Sequence, residues 1–154
     1  MGIDIHVKIA YLNKQKNIYE EAKLFVEKGE ERTPVEVYSG RNTTFFDLLT
    51  SDEFPHRAIS LETLSPELKN AVAEDKNEFG FYGFYETTLA DMQVFSMTYS
   101  PRRLSEEEED FDYYGIDSLR KFIEQIKAFM DFYEPFWDYS LLNSDIKILY
   151  WFDR

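Results

Sequence analysis

The chain has 154 residues and a mass of 18.4 kDa, with 17 Lys and Arg against 30 Asp and Glu, a net charge of −13 and an isoelectric point near 4.5. Such a surface repels phosphate, which argues against direct nucleic-acid binding and favours a basic partner protein. The absence of cysteine excludes disulfides, thiolate metal sites and cysteine nucleophiles, while 14 Phe and 11 Tyr supply a core too rich for an acidic disordered segment. A single domain, 1–154, is expected. No apolar run reaches the length of a membrane span and no basic-then-apolar leader opens the chain, so no membrane association is expected and the cytoplasm is the expected compartment. Gly2 is followed by His6 where a myristoylation signal wants Ser or Thr.

In chain order, residues 3–11 alternate. Ile3, Ile5, Val7, Ile9 and Tyr11 point one way, and Asp4, His6, Lys8 and Ala10 the other, which predicts a half-buried strand. Asn13–Asn17 reads as a polar turn leading to a second strand over Ile18–Glu27, the two forming a hairpin. Gly29–Pro34 reads as a charged break, and Val35–Tyr38 as a short third strand stopped by Ser39-Gly40. Asn42 or Thr43 is suited to cap a short helix carrying Phe45, Phe46, Leu48 and Leu49. Ser65-Pro66-Glu67 is a stronger start signal, predicting a helix to about Glu74. Thr88 opens another, with Leu89, Met92, Phe95 and Tyr99 at helical spacing.

The run Ser105–Ser118 holds seven acidic residues and no basic one and reads as an acidic loop, 105–118. Asp117 then caps a long helix, 118–134, whose Leu119, Phe122, Ile123, Ile126, Phe129, Met130 and Tyr133 form one apolar stripe before Pro135. Ile146–Asp153 is apolar on both faces and predicts a central strand. The sum is an α+β fold: a mostly antiparallel or mixed sheet containing the N- and C-terminal strands, with helices packed on one face.

Four stretches resemble a family of uncharacterised phage and prophage proteins. They are Met1-Gly2-Ile3-Asp4-Ile5-His6, Arg41-Asn42 leading into Phe46, Thr88-Leu89-Ala90-Asp91, and the closing Ile148–Asp153, with Leu64-Ser65-Pro66-Glu67 as further support. The resemblance implies a phage-type accessory protein in the cytoplasm of a bacterial host; the family carries no assigned activity. It also has an H-S-H triplet before T-L-A-E, where this chain has Tyr82-Gly83-Phe84, so no metal site is carried over.

Three groups are candidates for function. Asp4 and His6 stand two apart on one strand face, and Asp153 joins them if the terminal strands are neighbours. A carboxylate–imidazole set of this kind suits a Mg- or Mn-dependent hydrolase, the alternative being a hydrogen-bonded structural pair. Phe79–Tyr85 mixes two glycines with five aromatics. It is either a loop presenting Phe81, Tyr82, Phe84 and Tyr85 to a partner or a bent strand with its rings in the core. The run Glu106, Glu107, Glu108, Glu109, Asp110, Asp112, Tyr113 and Tyr114 can imitate a phosphate backbone for a basic protein, or is a solvated loop. Arg41 is a possible anion contact and, with the aromatic loop, part of a small-ligand sequestering alternative. With His56 the only other histidine, a His-rich metal site is excluded. The reading that absorbs most of this is a non-catalytic protein, without cofactor, that binds a basic host component, including one of a defence system.

Overall fold

A computed structural model describes residues 4–36, 38, 43–79, 82–98, 106–133 and 141–153; for residues 26, 28, 78, 79, 82, 106–114 and 153 it describes the backbone alone. The chain runs β1 (Asp4–Asn13), β2 (Ile18–Glu21), β3 (Phe25–Lys28), β4 (Glu31–Pro34), α1 (Thr43–Leu49), β5 (Arg57–Ala58), α2 (Pro66–Phe79), β6 (Tyr82–Thr88), α3 (Leu89–Thr98), α4 (Glu106–Phe132) and β7 (Ile146–Asp153). Five strands form an antiparallel sheet in the order β2-β1-β7-β6-β5. The two terminal strands are neighbours, paired from Asp4↔Asp153 to Tyr11↔Ile146.

β7 sits at the centre, as its two apolar faces demand. Ile146, Ile148, Tyr150 and Phe152 join Ile5 and Ile9 beneath α1, α3 and α4, where Phe45, Leu49, Met92, Leu119, Phe122 and Ile126 are buried. The Tyr150 hydroxyl donates to the Leu49 carbonyl at 3.0 Å, and its burial pushes the phenol above the usual tyrosine range. Helices therefore stack on one face as expected, and α2 adds partial cover on the other, packing Leu68 and Val72 against Ala10, Leu149 and Trp151.

The start signals act as the sequence predicts. Ser65 Oγ accepts the Leu68 N–H at 3.3 Å, and Thr88 Oγ1 accepts the Asp91 N–H at 3.0 Å. The stripe of α4 is also as predicted, with Leu119, Phe122, Ile123, Ile126 and Phe129 buried. α2 runs past Glu74 to Phe79.

Several expectations are corrected. The second strand ends at Glu21; Phe25–Lys28 instead pairs with Glu31–Pro34 in a separate hairpin. Gly29-Glu30 forms its two-residue loop, with Gly29 at φ +64°, the left-handed conformation that a type II′ turn needs first. The expected break at Gly29–Pro34 is thus a turn and a strand, and Val35 and Glu36 lie beyond that strand; Val37 lies outside the described residues. The acidic loop 105–118 is not a loop from Glu106 onward, because α4 starts there. Acidic residues suit a helix N-terminus, where they face the positive end of the helix dipole. Asp117, expected as the cap, is inside the helix and pairs with Lys121 at 3.0 Å.

Candidate functional site

β2 is short and covers only part of the outer edge of β1, pairing with Ala10–Asn13. The last contact is the Ala22 N–H donating to the Ile9 carbonyl at 2.9 Å. Beyond it the chain swings away into the β3–β4 hairpin and leaves a groove of about 650 Å³. One wall is β1 from Asp4 to Ile9, the opposite wall includes Leu24, Phe25, Pro34 and Val35, and α2 contributes Ala71 and Asp75. The charged lining groups are Asp4, Glu21, Glu36 and Asp75 against Lys8 and Lys23, with His6 also in the lining, so four carboxylates less two ammonium groups leave a formal −2. Both lysines reach the same carboxylate: Lys8 Nζ is 2.9 Å and Lys23 Nζ 3.3 Å from Glu21. Both ammonium groups of the groove thus converge on Glu21 of β2.

The structure brings Asp4, His6 and the backbone of Asp153 together at one end of the β1–β7 ladder, with His6 opposite Trp151. Antiparallel partners share a sheet face, so the condition for a three-residue set is met at the level of register. Among the described residues, however, no group of three or more His, Asp or Glu side chains is spaced to hold a metal ion.

Of the aromatic stretch, Phe79 ends α2 and the described part from Tyr82 to Tyr85 lies in a bent strand. Tyr82–Thr88 is β6, with an irregularity in its pairing between Tyr82 and Tyr85. Phe84 stacks on Trp151 (centroids 5.4 Å apart, planes 18° apart), and Tyr85 packs against His56, Tyr150 and Phe152 at 4.8, 5.8 and 6.3 Å. Phe84 and Tyr85 are therefore partly buried and packed against neighbouring rings. Gly83 makes the bend with φ +68°; a Cβ there would meet the Tyr85 ring at 2.8 Å and the Phe152 ring at 3.2 Å. Gly83→Ala is expected to cost about 2–4 kcal/mol from left-handed strain and ring displacement together. Urea unfolding checks this, and a loss under about 0.5 kcal/mol would contradict the bend.

Of the other predicted residues, Glu106, Glu107, Glu108, Glu109, Asp110, Asp112, Tyr113 and Tyr114 lie on the first turns of α4, and only their backbone is described. Arg41 and Phe81 lie outside the described residues, as does the side chain of Tyr82. His56 packs between Phe54 and Tyr85, with Nδ1 2.8 Å from the Phe54 carbonyl oxygen.

One buried polar cluster escaped the sequence reading. Lys147 and Glu86 are 4% and 0% exposed, and Lys147 Nζ lies 2.7 Å from Glu86 Oε2. Lys147 also donates to Thr63 Oγ1 at 3.1 Å and sits 4.3 Å above the Tyr19 ring. Glu86 Oε1 accepts the Ser60 N–H at 2.6 Å, and Arg57 Nε approaches Oε2 at 3.5 Å. The cluster ties the Ser60–Thr63 turn to the sheet face that α2 also covers. Its signal was present as Lys147 at an inward position of a strand otherwise apolar on both faces.

No protein-family model, no curated protein and no solved structure matches the chain. Among the described residues, no helix is long and apolar enough to cross a membrane.

Proposed function

We propose that this protein is a non-catalytic, acidic binding protein that holds a basic protein partner. The observation that carries the reading is the continuity of α4. The carboxylate-bearing residues Glu106–Asp110 and Asp112 begin the same 27-residue helix whose later turns are locked into the core by Leu119, Phe122, Ile126 and Phe129. At about 1.5 Å rise per residue, their backbone positions follow a regular helical course anchored to the core, instead of wandering as a solvated loop would. Carboxylates on a regular scaffold set up a field that draws a cationic surface and fixes its register. The net charge of −13 extends that field over the molecule. Likeness to phage and prophage proteins supplies the setting: an accessory factor engaging a basic component of its bacterial host, a defence-system protein included, in the cytoplasm.

The test exchanges Glu106–Glu109 for Gln and Asp110 for Asn, and compares capture of host proteins by the native and neutralised chains, with circular dichroism to show that α4 persists. Binding through the acidic helix requires that a basic protein retained by the native chain be lost with the neutralised one. Equal retention by both chains contradicts the reading.

A further inference from the structure

The open edge of β1 has the makings of a strand-accepting slot. In an antiparallel ladder, successive residues direct their backbone N–H and C=O groups to opposite sides. The Ile9 carbonyl faces β2, where it accepts from Ala22. Ile5 and Val7, two and one steps of two back, therefore face the same side, away from β7 and into the groove. Among the described residues, none hydrogen-bonds to the backbone groups of Ile5 or Val7 on that side. Sheet edges with free N–H and C=O groups are templates for another extended chain.

The two faces of the groove differ in chemistry. On one, the Ile5 and Val7 side chains lie with the apolar core that α1 and α4 cover. On the other are Asp4, His6 and Lys8, with Asp75 of α2 also lining the groove. A strand added here would alternate in the same way, placing every second side chain beside the apolar face and the others beside the acidic one. Glu36, exposed in the opposite wall, adds to the negative charge. The stretch from Asp4 to Lys8 spans about 13 Å at about 3.3 Å per step, and lies alongside about five residues of extended peptide.

The geometry points to β1 as the docking edge for an extended segment of the basic partner, one alternating Lys or Arg with Val, Ile or Leu, which adds to the sheet as a sixth strand beside Ile5 and Val7. This rests on the reading of the protein as a binder of basic proteins and names the mode of recognition.

The experiment measures fluorescence anisotropy of a labelled octapeptide alternating Lys and Val, titrated with the full chain at low salt. Three companions are compared with it: one of the same composition in scrambled order, and two N-methylated at alternate residues in the two registers, so that one of them removes the N–H groups facing β1. Strand addition predicts saturable binding of the alternating peptide. It predicts weakening of about tenfold by scrambling and by one N-methyl register, the scale of losing two backbone hydrogen bonds. Asp75→Asn with Glu36→Gln should weaken binding about threefold at low salt, and less at high salt.

Equal binding of all the peptides, lost only when Glu106–Asp110 are neutralised, overturns strand addition and leaves the acidic-binder reading standing. Failure of the chain to bind the octapeptide or polylysine overturns both. A concentration-dependent dimer in sedimentation, which excludes the peptide and is broken by Val7→Lys, makes a second copy of the chain the occupant and also overturns the proposal.

Discussion

Phe122→Asp is expected to leave a chain with no cooperative thermal transition at room temperature and above. Phe122 is 1% exposed and meets the Phe45 ring edge-on at 5.5 Å and the Tyr38 ring at 5.6 Å, so it links α4 to α1 over the sheet. Removing a buried phenylalanine costs about 3–5 kcal/mol. Placing a carboxylate with no partner in the same apolar site adds several more, and the two together rival the whole stability of a domain, about 5–15 kcal/mol. Two controls isolate the cause. Phe122→Leu keeps the site apolar and should cost about 1–2 kcal/mol. Phe132→Asp alters the same helix at a position 75% exposed and should change stability by less than about 0.5 kcal/mol. A cooperative melt near the native temperature for Phe122→Asp would show that the stripe of α4 does not face the sheet.

The second large effect is at the buried ion cluster. Lys147→Met should destabilise the fold by about 3–5 kcal/mol, because the Glu86 carboxylate would stay buried without its ammonium partner. Arg57 is no substitute: it lies 3.5 Å from Glu86 with its own side chain 67% exposed, so solvent screens it. Lys147→Met combined with Glu86→Leu should recover most of the loss, since a matched apolar pair removes both desolvation penalties. The Ser60 N–H, which donates to Glu86 at 2.6 Å, then loses its acceptor, so recovery should stop short of the native value. Chemical denaturation of the two singles and the double completes the cycle. Additive losses in the double would contradict a coupled pair.

Elements with one unbroken pattern were legible from sequence: β1 alternates over nearly its whole length, β7 is apolar on both faces for most of its length, and the stripe from Leu119 to Phe129 keeps helical spacing throughout. The errors fall where a local feature has a tertiary meaning. Gly29 looked like a break because glycine and charge cluster there, yet its positive φ closes a hairpin. Gly115 and its acidic neighbours looked like a loop, whereas α4 continues through them. A Cβ at Gly115 would lie 3.5 Å from Leu48 Cβ and 3.6 Å from the Thr44 carbonyl oxygen, so glycine marks the close approach of α4 to α1.

The candidate site was legible in part. Pairing of the terminal strands brings Asp4 opposite Asp153, a convergence that the alternation of both strands allowed but did not establish. Glu36 and Asp75 reach the same groove from the hairpin wall and from α2. No local pattern announces that meeting, because it depends on where β2 stops and how α2 crosses the sheet. Glu86 and Lys147, 61 positions apart in sequence, meet because β6 and β7 are adjacent strands. Each alone reads as one more charge on a charged chain.

In the proposed function, carboxylates held on a core-anchored helix grip a cationic protein surface. Its most direct measurement is the capture comparison between the native chain and the chain neutralised at Glu106–Asp110, repeated across a range of salt concentrations. The basic partner is expected to be retained by the native chain at low salt, released as screening shortens the reach of the charges, and absent from the neutralised chain. Retention that is equal for both chains and indifferent to salt would contradict it.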